Sequence, residues 1–508
     1  MLPKLRSFES TLQPINRLPD DILILIPRFF TDDGYAVFPM NKPLVAMTGV
    51  CRSWRNLLLS TPSLWTQLNF SNLRSKQQEV FLERSGKQLL DICLQMESEE
   101  YLEPFLSATL RNSHRLRWLD LGSTVSDLDY VLTQLTRPAP ELKHLEIWSD
   151  GLAGDLGVPS TIFGGQLPKL TSFTLLQMRT DLRGFNFPAL KRFILRTEAK
   201  TSVQNLTSFF ERCPLLVFIQ ICLTYTPEPP IAPPGKRIRL AALKELRFNE
   251  TALTSGLLDH LTLPNCTEIM LKGQFLGKEF DDQGNPAARI HPTSLDHLPT
   301  MRGITKAVAM PNSCILSGPN GYLRFWFSRG TRENFDAEFF TSLNPISVSG
   351  VRELWVGATT EASFGRSRWG RTTGGAGKLW SQTPAGVRGA FGVLAKVEDL
   401  IIVNCNTEPI FVTLGVDVDN VILLPGLHRL TIYVGSGDLD APALIQCVKA
   451  RNEHSMSLGE VAIVFEKEPG ADVIRGLEPL RELVVELDYR VGVAPVLRQW
   501  ESRCDDFW

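Results

Sequence analysis

The sequence predicts an α/β protein in which a small helical unit precedes a long, irregular array with one strand per repeat. Three observations support this prediction. A short amphipathic helix near the N-terminus carries one tryptophan and is followed by a second, an apolar pattern recurs beyond residue 110, and 508 residues are too many for one compact core. We therefore expect an N-terminal tail at 1–14, a helical domain at 15–70 and the repetitive array at 71–508.

The helical unit is recognised from the segment "VCRSWRNLLLSTPSLW", which begins at Val50. The spacing of Val50, Trp54 and Leu57 places these residues on one face of a helix. Pro62 cannot continue that helix, so the chain turns there and returns Trp65 toward the apolar face. The segment predicts a small core between two tryptophans.

The repetitive array is recognised from a six-residue pattern with apolar residues at its first, fourth and sixth positions. The leading residues of these twelve segments are Leu116, Leu142, Leu170, Leu190, Leu216, Leu243, Cys266, Val351, Val397, Leu427, Leu458 and Leu480. Steps in the twenties, each with a short period-2 segment, are typical of a leucine-rich-repeat solenoid. Such repeats usually carry Asn or Cys eight residues after the leading position, and only Cys405 complies, so we expect an irregular solenoid.

Two insertions interrupt the array, near 275–350 and 357–390. In the first, "SCILSGPNGYLRFWFS" predicts a β-hairpin that turns at Asn320 and Gly321. The second contains a Gly- and Arg-rich loop at 357–378 whose spacing does not match a phosphate-binding loop. It is either a solvated insertion or a contact for an anion or an acidic peptide. The arginines available for such a contact are Arg366, Arg368 and Arg371.

Composition and charge argue against several classes of function. A net charge of -2 offers no electrostatic footprint for nucleic acid or an anionic membrane, and the early apolar run at 22–26 is far shorter than a membrane span. Nine cysteines without a Cys-x-x-Cys pair indicate reduced thiols, and therefore an intracellular protein of the cytoplasm or nucleus. No catalytic constellation or zinc spacing occurs, so we expect no enzyme activity, metal or cofactor.

The helical unit resembles an F-box. The resemblance begins at Leu18 and Pro19, continues through an acidic and aliphatic first helix, and includes the Val50-Cys51-Arg52 stretch with Trp54. The "STPSLW" tail at 60–65 is especially similar to the F-box-like proteins abundant in fungi, which carry degenerate leucine-rich repeats behind the box. This chain departs from the family pattern at Pro27, which should kink the first helix.

The resemblance implies a function. In that family the box binds the Skp-type adaptor of Skp-cullin-F-box (SCF) ubiquitin ligases, and the repeats hold the protein to be ubiquitinated. The chain is then a non-enzymatic substrate receptor that reaches a cullin through the adaptor. The alternative is a leucine-rich-repeat scaffold for protein interactions, whose degenerate box does not engage the ligase.

The expected adaptor-binding surface is apolar and drawn from both helices of the box. Its residues are Leu18, Pro19, Ile22, Leu23, Val50, Cys51, Trp54 and Leu57. Tryptophan in so small a unit usually packs inward, so Trp54 and Leu57 can instead be internal core.

The expected target-binding surface follows from the pleat of the strands. The leading, fourth and sixth positions of each repeat point into the core, so the third, fifth and seventh point to the opposite, concave face. The target-binding residues predicted in this way are Trp118, His144, Trp148, Arg192, Arg196, Phe218, Arg247, Trp355, Arg429 and Tyr433. Acidic residues such as Asp120 and Glu146 interleave with them and would repel phosphates, which favours a protein target over nucleic acid.

Overall fold

The protein was studied as a computed structural model that divides into two compact units. The described residues are 15, 18–29, 42–70, 75–96, 102–123, 128–149, 157–178, 181–197, 201–223, 237–249, 257–273, 295–310, 313–327, 348–357, 384–403, 405–415, 422–435 and 439–492. The N-terminal unit comprises Met1–Tyr225 and Leu240–Leu243, and the C-terminal unit comprises Thr226–Arg239 and Lys244–Trp508. Both units are mixed α/β.

Three helices open the N-terminal unit: α1 at Asp20–Phe29, α2 at Lys42–Met47 and α3 at Arg52–Leu59. The Pro19 carbonyl accepts the first hydrogen bonds of α1, from the backbone N–H groups of Ile22 and Leu23. Helix α1 continues through Pro27 to its end, so the proline does not terminate it. A 3-10 turn at Pro62–Trp65 follows α3.

The rest of the N-terminal unit alternates strands with helices or irregular segments. Its strands are β1 at Gln67–Asn69, β2 at Leu90–Met96, β3 at Leu116–Ser123, β4 at His144–Ser149, β5 at Ser172–Leu176, β6 at Arg192–Thr197 and β7 at Phe218–Leu223. Its remaining helices are α4 at Ser75–Arg84, α5 at Leu102–Arg111, α6 at Leu128–Gln134 and α7 at Val203–Glu211. The 3-10 helices are Ser113–Arg115, Ile162–Gly165 and Leu182–Gly184.

These seven strands pair in chain order, and every pairing is parallel. The apolar positions of the repeat lie in register, as in Leu119 opposite Leu145 and Leu145 opposite Phe173. All three side chains are buried, which confirms the predicted core face of these strands. Parallel strands need crossover connections, and the helices and irregular segments supply them.

Two strands precede the first repeat segment that was recognised in the sequence, at Leu116. Strands β1 and β2 precede Leu116, and Leu68 pairs with Ile92, which in turn pairs with Leu119. Trp65 stands three positions before Leu68, where a leading apolar residue belongs, and it is fully buried. The last tryptophan of the helical region is therefore also the first core residue of the sheet.

The C-terminal unit holds twelve strands among its described residues, together with a helical stretch at 257–259 and four longer helices. Its strands are β8 at Ile238–Arg239, β9 at Glu245–Asn249, β10 at Leu261–Thr262, β11 at Glu268–Gly273, β12 at Lys306–Met310, β13 at Ser313–Ser317, β14 at Tyr322–Phe327, β15 at Glu353–Gly357, β16 at Asp399–Val403, β17 at Arg429–Val434, β18 at Glu460–Phe465 and β19 at Glu486–Val491. Its helices are α8 at Pro384–Val393, α9 at Glu408–Gly415, α10 at Ala441–Glu453 and α11 at Ala471–Leu477. Its 3-10 helices are Pro299–Met301, Val348–Gly350 and Glu478–Glu482.

Most pairings in the C-terminal unit are also parallel. Strand β9 pairs with β11 and β11 with β14, while β12, β15, β16, β17, β18 and β19 pair in that order. Strands β8 and β10 form a separate short parallel pair. The predicted hairpin is confirmed: β13 pairs antiparallel with β14 on one side and with β12 on the other, and its turn contains Asn320 and Gly321.

The last predicted strand, the segment from Leu480, is wrong by four residues. Leu480 lies in a 3-10 helix that Pro479 helps to start, and Val485, expected inside, is 88% exposed. The strand is β19, where Leu487 rather than Leu483 pairs with Val461. Val484 therefore occupies the leading position, because the chain spends four residues completing a helical turn before it extends.

Three buried or half-buried arginines tie a connection to an earlier one in the described part of the chain. Arg115 donates to the Gly86 carbonyl at 2.6 Å, and Arg212 donates to the Phe185 carbonyl at 2.7 Å. Arg451, which is fully buried, donates to the Leu423 and Leu424 carbonyls, each at 2.9 Å. Each guanidinium satisfies backbone carbonyls of a connection between 27 and 30 residues earlier in the chain.

Some predicted features lie outside the described residues: the tail at 1–14, part of the insertion near 275–350, and most of the Gly- and Arg-rich loop at 357–378 with Arg366, Arg368 and Arg371. Within the described part of the chain, no helix combines the length and apolar character needed to cross a membrane.

Candidate functional site

The end of α3 is closed by the side chains of the "STPSLW" tail. The last carbonyls of a helix have no partner within the helix. Here the Trp65 Nε1–H donates to the Leu58 carbonyl at 2.8 Å, while Ser60 Oγ and Thr61 Oγ1 donate to the Leu57 carbonyl at 3.0 and 2.7 Å. The tail therefore caps α3 and places Trp65 beneath it.

Trp65 joins the helical region to the sheet. Its ring meets that of Phe81 in α4 edge to face, with centroids 4.8 Å apart, and the Arg84 guanidinium lies 4.6 Å from its centroid. Both aromatic side chains are buried. Because β1 begins two residues later, the helices and the first strands share one core.

An apolar stripe remains exposed on the helical region. Ile22 and Leu25 are three residues apart in α1, which places them on one side of the helix, and Ile15 and Leu18 are exposed in the segment that leads into it. Ile22 is 41% exposed. Val45 in α2 and Val50 before α3 are exposed too, Val50 to 59%. The sequence predicted Leu18, Ile22 and Val50 for this surface but missed Ile15, Leu25 and Val45, whose apolar character alone does not reveal exposure.

Two residues predicted for the adaptor surface lie inside instead. Trp54 is 5% exposed and Leu23 is buried. The helices that carry them, α3 and α1, are in contact with each other. Cys51 caps α3, where its Sγ accepts from the Trp54 backbone N–H at 3.5 Å. Leu57 is half-buried, and Pro19 is exposed. Trp54 therefore supports the stripe rather than forming part of it.

A second candidate surface is the opposite face of the strands, which carries the third, fifth and seventh positions of each repeat. In the N-terminal unit, Trp118 on β3 stacks on His144 on β4 with ring centroids 4.4 Å apart. Farther along the same row, the Arg192 guanidinium lies 4.0 Å from the centroid of the Phe218 ring. Phe218 is buried beneath it, so it supports Arg192 rather than presenting a surface of its own.

The next row brings two carboxyl groups together. Asp120 on β3 is the register partner of Glu146 on β4. Burial raises the pKa of Asp120 to about 6, although hydrogen bonds from Cys93 and Trp148 act in the opposite direction. Burial, reinforced by the charge of Asp120, raises the pKa of Glu146 to about 7, while Arg192 lowers it. The sequence missed Cys93, whose thiol donates to Asp120 Oδ2 at 3.5 Å.

Trp148 covers this end of β3. A Cβ atom on Gly122, its register partner, would lie 1.9 Å from the Trp148 indole. A glycine at this position therefore lets the ring lie flat over the strand. Trp118, His144 and Trp148 are thus brought together around Asp120 and Glu146, as the strand pleat predicted for these positions.

The predicted residues of the C-terminal unit are mostly engaged in contacts. Arg247 is buried and pairs with Glu245. Trp355 Nε1–H donates to Glu353, and the Lys306 ammonium lies 4.5 Å from the centroid of the indole. The same ring packs on a buried cluster that consists of Val308, Met310 and Ile315.

Two further predicted residues lie on β17. Arg429 is exposed and pairs with Asp399 at 3.5 Å and with Glu460 at 3.0 Å. Tyr433 is half-buried, and Arg196 of the N-terminal unit is exposed. Phe218, Arg247 and Trp355 therefore contribute mainly to packing, whereas Arg196 and Arg429 are accessible.

The comparisons with known proteins concern the helical region. A search of curated proteins found no match to the chain. Residues 15–71 match the family model described as F-box-like. The matched range covers the exposed stripe, the capped end of α3 and the first strand, β1. The chain therefore carries an F-box-like domain at residues 15–71.

Proposed function

We propose that this protein is the substrate-recognition subunit of an SCF-type ubiquitin ligase. The F-box-like domain binds a Skp-type adaptor, which links the protein to a cullin, and the strands hold a target protein. The protein itself has no catalytic role and acts inside the cell, in the cytoplasm or nucleus. The single observation that carries this proposal is the exposed apolar stripe on a region that matches the F-box-like family.

The stripe supports docking on physical grounds. Four apolar side chains are exposed here, those of Ile15, Leu18, Ile22 and Leu25. Helix α1 also has a buried side, which contains Leu23. A contiguous exposed apolar patch typically marks an interaction surface. Asp20 and Asp21 flank it in the first turn of α1, so the patch has a polar rim.

We further propose that the strand region is an irregular leucine-rich-repeat solenoid of the kind that follows the box in F-box-like proteins of fungi. The parallel pairing of successive strands and the buried leading, fourth and sixth positions support this interpretation. The arginines at Arg115, Arg212 and Arg451 take over the backbone contacts that an asparagine ladder provides in regular repeats.

The test is adaptor binding by the full-length chain. Ile22→Asp and Pro19→Asp place a charge on the stripe without disturbing buried Trp54, so we expect the affinity for a Skp-type adaptor to fall at least tenfold. Val473→Asp is the matched control, because Val473 is 42% exposed and lies in α11 of the C-terminal unit. Affinity is measured by surface plasmon resonance and folding by circular dichroism.

Two results would contradict the proposal. Unchanged affinity of folded Ile22→Asp and Pro19→Asp variants would remove the stripe from the interface. No adaptor binding by the unmodified chain would favour the alternative function, a repeat scaffold whose box only completes the first turns of the sheet. The shared core around Trp65 is the observation that favours this alternative.

A further inference from the structure

Asp120 and Glu146 form an acidic pair, compensated only in part, on the opposite face of β3 and β4. They are register partners on parallel strands, and neighbouring strands lie about 4.8 Å apart, so their carboxyl groups are close. Like charges directly opposite each other in a sheet are destabilising. Folding therefore works against this pair at neutral pH.

The surrounding groups compensate the pair only in part: Trp148 donates a hydrogen bond to Asp120 and the charge of Arg192 acts on Glu146, yet burial leaves both pKa values raised. Of the neighbouring cations, Arg117 is bound to Asp91 through its Nε at 2.8 Å. Arg192 belongs to β6, two strands from Glu146, and its guanidinium lies over Phe218. Burial lowers the pKa of His144, which favours its neutral form. From β2, Asp120 is contacted by the Cys93 thiol, which is a weak donor.

Asp120 has an unused acceptor. Its side chain is 3% exposed, and Oδ1 has no hydrogen-bond partner among the residues that the structure describes. A buried carboxylate oxygen without a partner is a costly feature of a folded protein. Glu146 is partly exposed, so an incoming cation reaches Glu146 first, with the charge of Asp120 acting from beneath.

Aromatic rings border the acidic pair. Trp118 and His144 stack on one side, and Trp148 lies over Gly122 on the other. Carboxylates beside indole rings suit a guanidinium group, because this cation is planar, donates two parallel hydrogen bonds to a carboxylate and stacks on aromatic faces. An ammonium group lacks the planar shape that uses both features.

We propose that this face of β3 and β4 binds one arginine side chain of the target protein, with its guanidinium against Glu146 and Asp120 and between the neighbouring rings. The inference rests on the proposed function in assigning the arginine to a target. A single arginine is favoured over a polybasic segment, because Arg192 and Arg196 lie on the same face about 10 Å away and repel further cations.

The test uses the full-length chain and a small probe, N-acetylarginine amide. N-acetylcitrulline amide, which has the same shape without the charge, is the control ligand. Binding is followed by calorimetry and by intrinsic tryptophan fluorescence at pH 8. We expect the arginine probe to bind at least tenfold more tightly than the citrulline probe, and its affinity to fall as the pH drops below about 7, where Glu146 becomes protonated.

Three variants assign the binding to this face. Glu146→Gln and Asp120→Asn should each weaken the arginine probe, Glu146→Gln at least tenfold. Glu141→Gln is the matched control, because Glu141 is an acidic residue of the same unit that pairs with Lys169 away from this face. It should leave affinity unchanged. Thermal unfolding at pH 8 verifies that the variants are folded, and Glu146→Gln is expected to be no less stable than the unmodified chain.

Equal binding of the arginine and citrulline probes would overturn the proposal, as would unchanged affinity in a folded Glu146→Gln variant. Adaptor affinity, measured on the same variants, separates this inference from the proposed function. Loss of probe binding with intact adaptor binding supports both. Probe binding by a chain that does not bind the adaptor keeps the arginine site and removes the ligase role.

Discussion

The two units differ in how acidic residues are paired on the face of the strands that carries the third, fifth and seventh positions. In the C-terminal unit, Glu353 pairs with Lys306 at 2.9 Å, and Arg429 lies between Asp399 and Glu460. In the N-terminal unit, Asp120 and Glu146 face each other. The same face of the strands thus carries paired opposite charges at third positions of the repeats in the C-terminal unit and a partly compensated acidic pair at fifth positions in the N-terminal unit. Exposed pairs of opposite charge add modest stability, whereas like charges directly opposite each other lower it, which is why we propose the acidic pair as a binding position.

The largest expected effect comes from Gly122→Ala, which tests whether Trp148 must lie over β3. The added methyl group overlaps the indole, so the ring must move away from the acidic pair. We expect a loss of about 1–3 kcal/mol in the free energy of unfolding, measured by urea denaturation, with weaker binding of the arginine probe. Gly392→Ala in α8, where nothing lies within 4 Å of the added atom, should not destabilise the protein. Equal effects of the two variants would contradict this packing.

The second effect concerns the acidic pair itself. Replacing Asp120 by Asn and Glu146 by Gln together removes two groups whose folded pKa values, about 6 and about 7, are raised above their ordinary values of 3.8 and 4.5. Because both folded pKa values are raised, the contribution of this pair to the free energy of unfolding is most favourable below about pH 4. That contribution is lost as the pH rises through 6 and 7.

The double variant should therefore be more stable than the unmodified protein at pH 8 by about 1 kcal/mol or more, which raises the melting temperature by about 2–4 °C. The advantage should shrink as the pH is lowered to 4. Differential scanning calorimetry at several pH values measures both. A double variant that is less stable at pH 8 would mean that the pair is structural.

A smaller effect of the opposite pH dependence is expected from Lys306→Met. Burial alone would raise the pKa of Glu353, but hydrogen bonds from Lys306 and Trp355 leave it lowered. Its contribution to stability is therefore present above its ordinary pKa and lost as the pH falls through the folded value. Because both side chains are about one-third exposed, we expect Lys306→Met to lose about 0.5–1 kcal/mol at pH 7 and nothing near pH 3. An undiminished difference at pH 3 in calorimetry would show that packing on Trp355, not charge, is responsible.

The smallest effect is expected from Arg429→Gln, which leaves Asp399 and Glu460 without their shared cation. The side chains of Arg429, Asp399 and Glu460 are 49%, 31% and 36% exposed, and solvent screens pairs of such side chains. We expect a loss of about 0.5 kcal/mol in urea denaturation, reduced further by 0.5 M salt. A loss above 2 kcal/mol would mean that this face of the C-terminal unit depends on its charges far more than the exposure of its side chains indicates.

The sequence by itself determined the strands and their buried faces in most of the chain. The leading, fourth and sixth positions from Leu116 to Leu458 are buried as predicted, because a period-2 apolar pattern can bury only one face of a strand. The F-box-like motif was likewise legible, since Trp54, Pro62 and Trp65 each have a local reason for their position. The strand after Leu480 was misplaced because a helical turn and a strand compete for the same apolar residues.

Only the tertiary structure decided which side chains are partners. Asp399 meets Arg429 and Asp120 meets Glu146 across connections of unequal length, and a register that depends on such connections cannot be calculated from periodicity. Burial of Trp54, exposure of Ile15 and the path of the Trp148 ring over Gly122 also depend on how separate elements pack. The sequence specified on which face of a strand each residue lies. The register between neighbouring strands decided whether a charged residue on that face lies opposite a residue of opposite charge.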